Sequence, residues 1–171
     1  MARAAMIAQY REKHPHLLLL DAGDFFQGTP YFNRFHGILE MKLMSELGYD
    51  VATLGNHDFD IGIQGFMNAQ QHANFKFVNA NYDFGQTPMA AVVQPFQIIE
   101  KGKYKIGVFG LGIDLNGLVP QSNFDGIGMK DPFASAAAVI KELKDAKCNL
   151  IICLSHLGYQ YEDKSKPSDL L

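Results

Sequence analysis

The stretch "LLLLDAGD" (residues 17–24) decides the fold. Four leucines make a strand apolar enough to be buried, and the chain then turns at once through glycine into two aspartates. Carboxylates have no packing reason to end a buried strand, so the stretch predicts a positive partner beside it. The pattern recurs twice. "VATLGNHDFD" (51–60) ends a strand in Asn56 and His57 just after Gly55, and "IICLSH" (151–156) ends one in His156. In an open α/β sheet the carboxyl ends of parallel strands line one crevice, where ligands bind. Asp24, Asn56 and His156 converging there make a mixed oxygen and nitrogen shell for a divalent cation such as Zn, Mn, Fe or Co.

Working outward, apolar strands alternate with amphipathic helices. Residues 1–15 read as a helix stopped by Pro15, and "HLLLL" (16–20) as a fully buried strand. "RFHGILEMKLMSELG" (34–48) reads as one helix with Phe35, Ile38, Leu39, Leu43 and Leu47 inward and Gly48 as its cap. "YDVATLG" and "FKFVNAN" are short strands flanking a helix near 65–73. "VVQPFQIIEKGKYKIGVFGLG" (92–112) gives two strands joined at Lys-Gly-Lys, with Pro95 marking an edge or bulge. After a glycine-rich loop (114–131), Asp131 caps a helix whose inward face holds Phe133, Ala137, Ile140 and Leu143. "NLIICL" is then a buried strand. The fold class is α/β with a mixed, mostly parallel sheet.

Composition narrows the function. The 171 residues are 47% hydrophobic with a formal charge of −3, which suits one globular domain with a sizeable core. Three arginines and scattered lysines give no nucleic-acid footprint. No apolar run reaches the length of a membrane span, and the N-terminus reads as a helix rather than a signal peptide, which leaves the compartment open. Cys148 and Cys153, at odd spacing in a strand, face opposite ways and do not bridge. Other phosphate chemistries lack their residues. Leu154 and Tyr159 stand where a cysteine phosphatase needs arginine, no phosphate-binding loop ends in Gly-Lys-Ser/Thr, and Ser155 is sequence neighbour to His156.

The blocks "DAGDFFQGTP", "LMSELGYDVATLGNHDFDIG", "VNANYD" and "IICLSHLGY" together resemble the calcineurin-like metallophosphoesterases, and specifically their 5′-nucleotidase branch. The resemblance covers nearly the whole chain. It implies a four-layer αββα sandwich and hydrolysis of a phosphoester, such as a nucleoside 5′-phosphate, by metal-activated water at a two-metal centre. Carried over by motif, Asp24 bridges the two metals, and Asn56 and His156 ligate the second. His57 meets the phosphate, Asp60 orients His57, and Asn56, His57 and Asn81 contact substrate. Gln27, Gly28 and Thr29 match the loop after the bridging aspartate, as pocket wall or simple turn. Asp58 reads as a helix cap and Asp21 as a solvated turn residue. His14, His16, His36 and His72 read as structural or surface residues.

The chain also departs from that pattern. It has no Asp-x-His before residue 16 and no Gly-His-x-His or Gly-His-x-Gln after residue 156. In the family these supply most ligands of the first metal and complete both. The expectation is therefore that residues 1–171 form a partial catalytic domain, lacking its first strand, its C-terminal part and the separate C-terminal nucleoside-binding domain. Alone it is expected to be weak or inactive. The rival readings are a relic that binds one metal or a phosphate without turnover, and a bare α/β scaffold.

Overall fold

The computed structural model describes residues 2–169. In chain order the elements are α1 (Ala2–Lys13), β1 (Leu20–Asp21), α2 (Pro30–Phe35), α3 (Ile38–Leu47), β2 (Val51–Ala52), α4 (Gly62–Gln70), β3 (Lys76–Val78), β4 (Tyr82–Asp83), β5 (Val93–Gln94), β6 (Phe96–Lys101), β7 (Tyr104–Gly112), β8 (Gly128–Met129), α5 (Pro132–Asp145) and β9 (Leu150–His156). One sheet is all parallel, in the order β1-β2-β3-β5. A second has the order β6-β7-β9, with β6 antiparallel and β9 parallel to β7. β4 and β8 form a small separate ribbon.

The two-residue period of strands sorts the core into three slabs. Val51, Val78, Ile106, Val108 and Leu154 fill the space between the sheets. Their sequence neighbours Ala52 and Phe77 point the other way, onto Met41 and Met44 of α3 and Phe66 and Ala69 of α4. Phe109 and Leu111 meet Val139 and Leu143 of α5 on the far side. The layers therefore run helix, sheet, sheet, helix, the αββα order of the metallophosphoesterase fold. Pro95, which cannot donate to a ladder, stands where the chain leaves β5 in one sheet and enters β6 in the other.

The sheets lie in close contact at Gly110. A Cβ built there would lie 2.0 Å from Thr53 Oγ1 and 2.5 Å from the Val78 carbonyl oxygen. The space is taken by polar groups of the facing sheet: Thr53 Oγ1 donates to Val78 O at 2.7 Å within that sheet, and the Ala80 amide donates across to Gly110 O at 2.8 Å.

Several sequence expectations change here. "HLLLL" is not fully buried: only Leu20 and Asp21 pair as strand, and residues 17–21 are half-buried because β1 lies at the sheet edge. β9 is the other sheet's edge, so Leu150 and Cys153 are exposed. Helix 34–48 is two helices, broken where His36 (φ 48°) and Gly37 (φ 81°) turn left-handed. The break rotates the inward face to Met41 and Met44, leaving Phe35 and Leu43 exposed. In α5, Val139 and Leu143 are buried while Phe133 is exposed. The Asp131 cap, accepting from the Ala134 amide at 2.7 Å, and the Gly48 cap stand as read. Cys148 and Cys153 are free thiols.

Gly110→Ala forces the sheets apart or displaces Thr53. It is expected to cost about 1–3 kcal/mol, the usual range for overpacking a tight core. Urea unfolding checks this, and an unchanged midpoint would refute the close-contact account.

Candidate active site

The loop after β1 has an unusual backbone. Gly23 (φ 95°), Asp24 (φ 61°), Gln27 (φ 71°) and Gly28 (φ 83°) are all left-handed. That region is free for glycine but costs an L-residue on the order of 1–2 kcal/mol, least for Asp and Asn. Local packing offsets the cost. Phe26 is buried, stacked on Phe32 at 5.5 Å, and its ring lies where Gly37 leaves room for it. Thr29 Oγ1 caps α2 by accepting from the Phe32 amide at 3.2 Å. Asp21 is not a solvated residue: it is half-buried, its Oδ1 accepts from the Gly23 amide at 3.0 Å, and burial raises its pKa.

Three of the residues singled out from sequence meet at the strand ends. Asp24 Oδ2 lies 3.2 Å from His156 Nε2, and Asp24 Oδ1 accepts from the His57 amide at 2.9 Å. Gly55 is what permits the meeting: a Cβ there would lie 2.2 Å from Asp24 Oδ1 and 2.7 Å from the His156 ring. Gly23 is pressed as tightly on Gly55, with 2.4 Å between its would-be Cβ and the Gly55 nitrogen. His57 Nδ1 is 2.9 Å from Asp60 Oδ2, which fixes the ring plane and leaves Nε2 as its free atom. Asn56, half-buried between Gly55 and His57, does not spend its side chain on capping the 3₁₀ turn His57–Phe59.

Asn81 is placed differently. Its Oδ1 accepts from the Gly112 amide and its Nδ2 donates to the Gly112 carbonyl, both at 2.8 Å, so the whole amide is engaged by one glycine. It lines a cavity of about 530 Å³ together with Ile113, Met129, Leu157 and Tyr161, at the C-terminal ends of β3, β7 and β9. His14, His16, His36 and His72 are exposed.

Two residues escaped the sequence reading. Asp58 is fully buried and accepts three backbone amides, from Gly55, Asp24 and Phe26. The signal was its place inside "GNHDFD", read there as a cap. Asn123, in the loop before β8, donates to the Phe59 and Asp60 carbonyls at 3.0 Å and so holds the same turn from outside. Nothing in its own neighbourhood of the sequence marked it.

The electrostatics follow from these contacts. Burial pushes the Asp24 carboxyl up, but the His156 hydrogen bond and the His57 amide outweigh it and hold it below its usual value. The same contact with Asp24 raises His156 against the opposing effect of burial. Burial pushes Asp58 up to about 7 in spite of its three donors.

These groups fit a cation. His156 Nδ1 is tied to the Ala22 carbonyl at 2.7 Å, which orients the ring and presents Nε2 toward Asp24, the arrangement typical of a metal-binding histidine. Among the described residues no three His, Cys, Asp or Glu side chains converge on one centre. Asp24 and His156 are the pair brought into contact, and Asn56 stands beside them in the neighbouring turn.

A pH dependence follows for the metal-free chain. Asp24, with a lowered pKa, contributes stability above about 3.8 that is lost as pH falls further. His156 is raised above 6.5, so its contribution is complete below that value and lost as pH rises through its folded pKa. Asp58, raised to about 7, likewise disfavours the fold once it must ionise. Urea midpoints should therefore be higher at about pH 5.5 than at about pH 8.5. A rising midpoint over that interval would contradict the assignments. Gly55→Ala should expel either Asp24 or His156 from the centre, seen as loss of the His156 shift in an NMR titration.

Comparison with known proteins agrees with this fold. The chain is 35% identical to the snake venom 5′-nucleotidase of Gloydius brevicauda, over 95% of its own length and 28% of that protein's. It is 30% identical to the 5′-nucleotidase of Bos taurus, over 93% and 28%. The crystal structure of the 5′-nucleotidase precursor from Thermus thermophilus superposes with a TM-score of 0.82 at 33% identity, covering 92% of this chain and 31% of that one. The chain thus spans under a third of the length of these relatives. The family model for the calcineurin-like phosphoesterases matches residues 2–171. With helix, sheet, sheet and helix stacked in that order and the "GD" and "GNHD" turns meeting at one crevice, the chain belongs to the calcineurin-like phosphoesterase family.

Proposed function

We propose that this chain is the metal-dependent catalytic part of a hydrolase acting on phosphoesters of small molecules, nucleoside 5′-phosphates among them. The observation that carries the reading is the 3.2 Å approach of Asp24 Oδ2 to His156 Nε2, beside an imidazole already braced by a carboxylate. The similarity to 5′-nucleotidases from snake venom and cattle supports the nucleotide as substrate.

Asp24, Asn56 and His156 would hold a divalent cation, which when bound supplies Lewis-acid charge and lowers the pKa of water. The chain's own residues do the rest. Asp24 offers one oxygen toward the centre and keeps the other on the His57 amide, so its carboxylate cannot rotate away. His57, its plane set by Asp60, turns its free Nε2 to the phosphoryl oxygens and to the negative charge that grows on them. Asn56 adds an oxygen without adding charge, which keeps the centre attractive to an anion. Asn81, clamped to Gly112, shapes the wall of the cavity beside the strand ends.

Residues 1–171 are, on this reading, one part of a larger catalytic domain. The outer edges of β1 and β9, unpaired among the described residues, are where further strands would add. Hydrolysis of a chromogenic phosphate ester, with and without Mn²⁺ or Zn²⁺, should be faint in this chain and strong once flanking coding sequence is restored. In that longer protein His57→Ala should lower kcat about 10²–10³-fold with metal content intact, whereas Asp24→Ala should lose both. If His57→Ala emptied the metal site, its role here would be misassigned. Absence of metal-dependent hydrolysis in the longer protein would refute the function.

A further inference from the structure

We propose that Asp58 is a positioning residue that locks the loop bearing Asp24 to the loop bearing Asn56 and His57, and so sets where the Asp24 carboxylate stands relative to the His57 imidazole. This rests on the function proposed above.

The two loops exchange hydrogen bonds reciprocally. Asp58 Oδ2 accepts from the Asp24 amide at 2.9 Å and from the Gly55 amide at 2.8 Å, while Oδ1 accepts from the Phe26 amide at 3.2 Å. In return Asp24 Oδ1 accepts from the His57 amide at 2.9 Å. His57 and Asp58 are sequence neighbours, so each loop's carboxylate grips the other loop's backbone and the circuit closes on itself. Asp58 is fully buried, and water does not compete for its acceptors.

The circuit explains three oddities at once. Asp24 keeps a left-handed conformation (φ 61°) because its own amide is fastened to Asp58. Phe26 is held at the core by its own amide, which is fastened to the same carboxylate. Gly55 sits hard against Asp24 because its amide shares Oδ2 with the Asp24 amide. Asparagine is a poor substitute, since it has one acceptor oxygen and would set an NH₂ group against an amide donor. The residue after His57 in "GNHDFD" is thus neither a ligand nor a reacting group; it acts through the positions of its neighbours.

Native-state amide hydrogen exchange, followed by NMR in the metal-free chain, tests this directly. In the unaltered protein Asp24, Phe26, Gly55 and His57 should be among the slowly exchanging loop amides. If they exchange like exposed loops, the proposal is overturned without recourse to any variant. In Asp58→Asn, with the fold checked by circular dichroism, a purely local role predicts faster exchange only at the amides that Asp58 itself accepts. A positioning role predicts that His57 also loses protection, although its amide bonds Asp24 and never touches Asp58. Mn²⁺ alone, titrated by calorimetry, should bind Asp58→Asn about 10–100-fold more weakly than the unaltered chain. Unchanged His57 protection in Asp58→Asn overturns the proposal. Should the unaltered chain bind no Mn²⁺, the metal assignment fails, and the exchange pattern still decides the role of Asp58.

Discussion

Two backbone segments that would normally be kept apart by their side chains lie in direct contact at Gly23 and Gly55, and the rest of the centre depends on that contact. With a methyl group at either position the loops after β1 and β2 would be forced apart. His156, which reaches them from the other sheet, would then face a gap rather than a carboxylate. The glycines bring no side chain, only their backbone amides. They remove bulk so that groups from residues 24, 57 and 156 share one small volume.

Such crowding of polar groups is costly unless each has a partner. Most of these groups have one here. Asp21 takes the Gly23 amide, Asp24 takes the His57 amide and the His156 ring, and the far side of that ring meets Ala22. The Phe59 and Asp60 carbonyls are taken by Asn123. Carboxylates gathered in one corner of a chain of net charge −3 also repel one another, and burial sharpens that repulsion. A cation bound as proposed would relieve it.

Much of this was legible in the sequence, because strand ends that release Asp, Asn and His behind glycine have little else to do. The alternation of strands and helices, the caps at Asp131 and Gly48, and the turn at Gly102 are local features and were read as such. What escaped depends on position in the assembled molecule. Nothing in "HLLLL" says that it lies at a sheet edge, where one flank of each residue stays open. Nothing in "RFHG" says that His36 adopts a left-handed turn and shifts the face of the following helix onto Met41 and Met44. Asp58 and Asn81 were visible as polar residues in motif loops, but their partners lie far off along the chain and only the fold brings them together.

The crossing at Pro95 has a mechanical consequence. Because one uninterrupted run of chain is the last strand of the first sheet and the first strand of the second, neither sheet can slide across the other without dragging covalent backbone with it. The hydrogen bond from the Ala80 amide to the Gly110 carbonyl ties the two layers at a second place. Shear, the soft mode of stacked sheets, is thereby stiffened, and an imidazole carried by one layer keeps its registry with a carboxylate carried by the other.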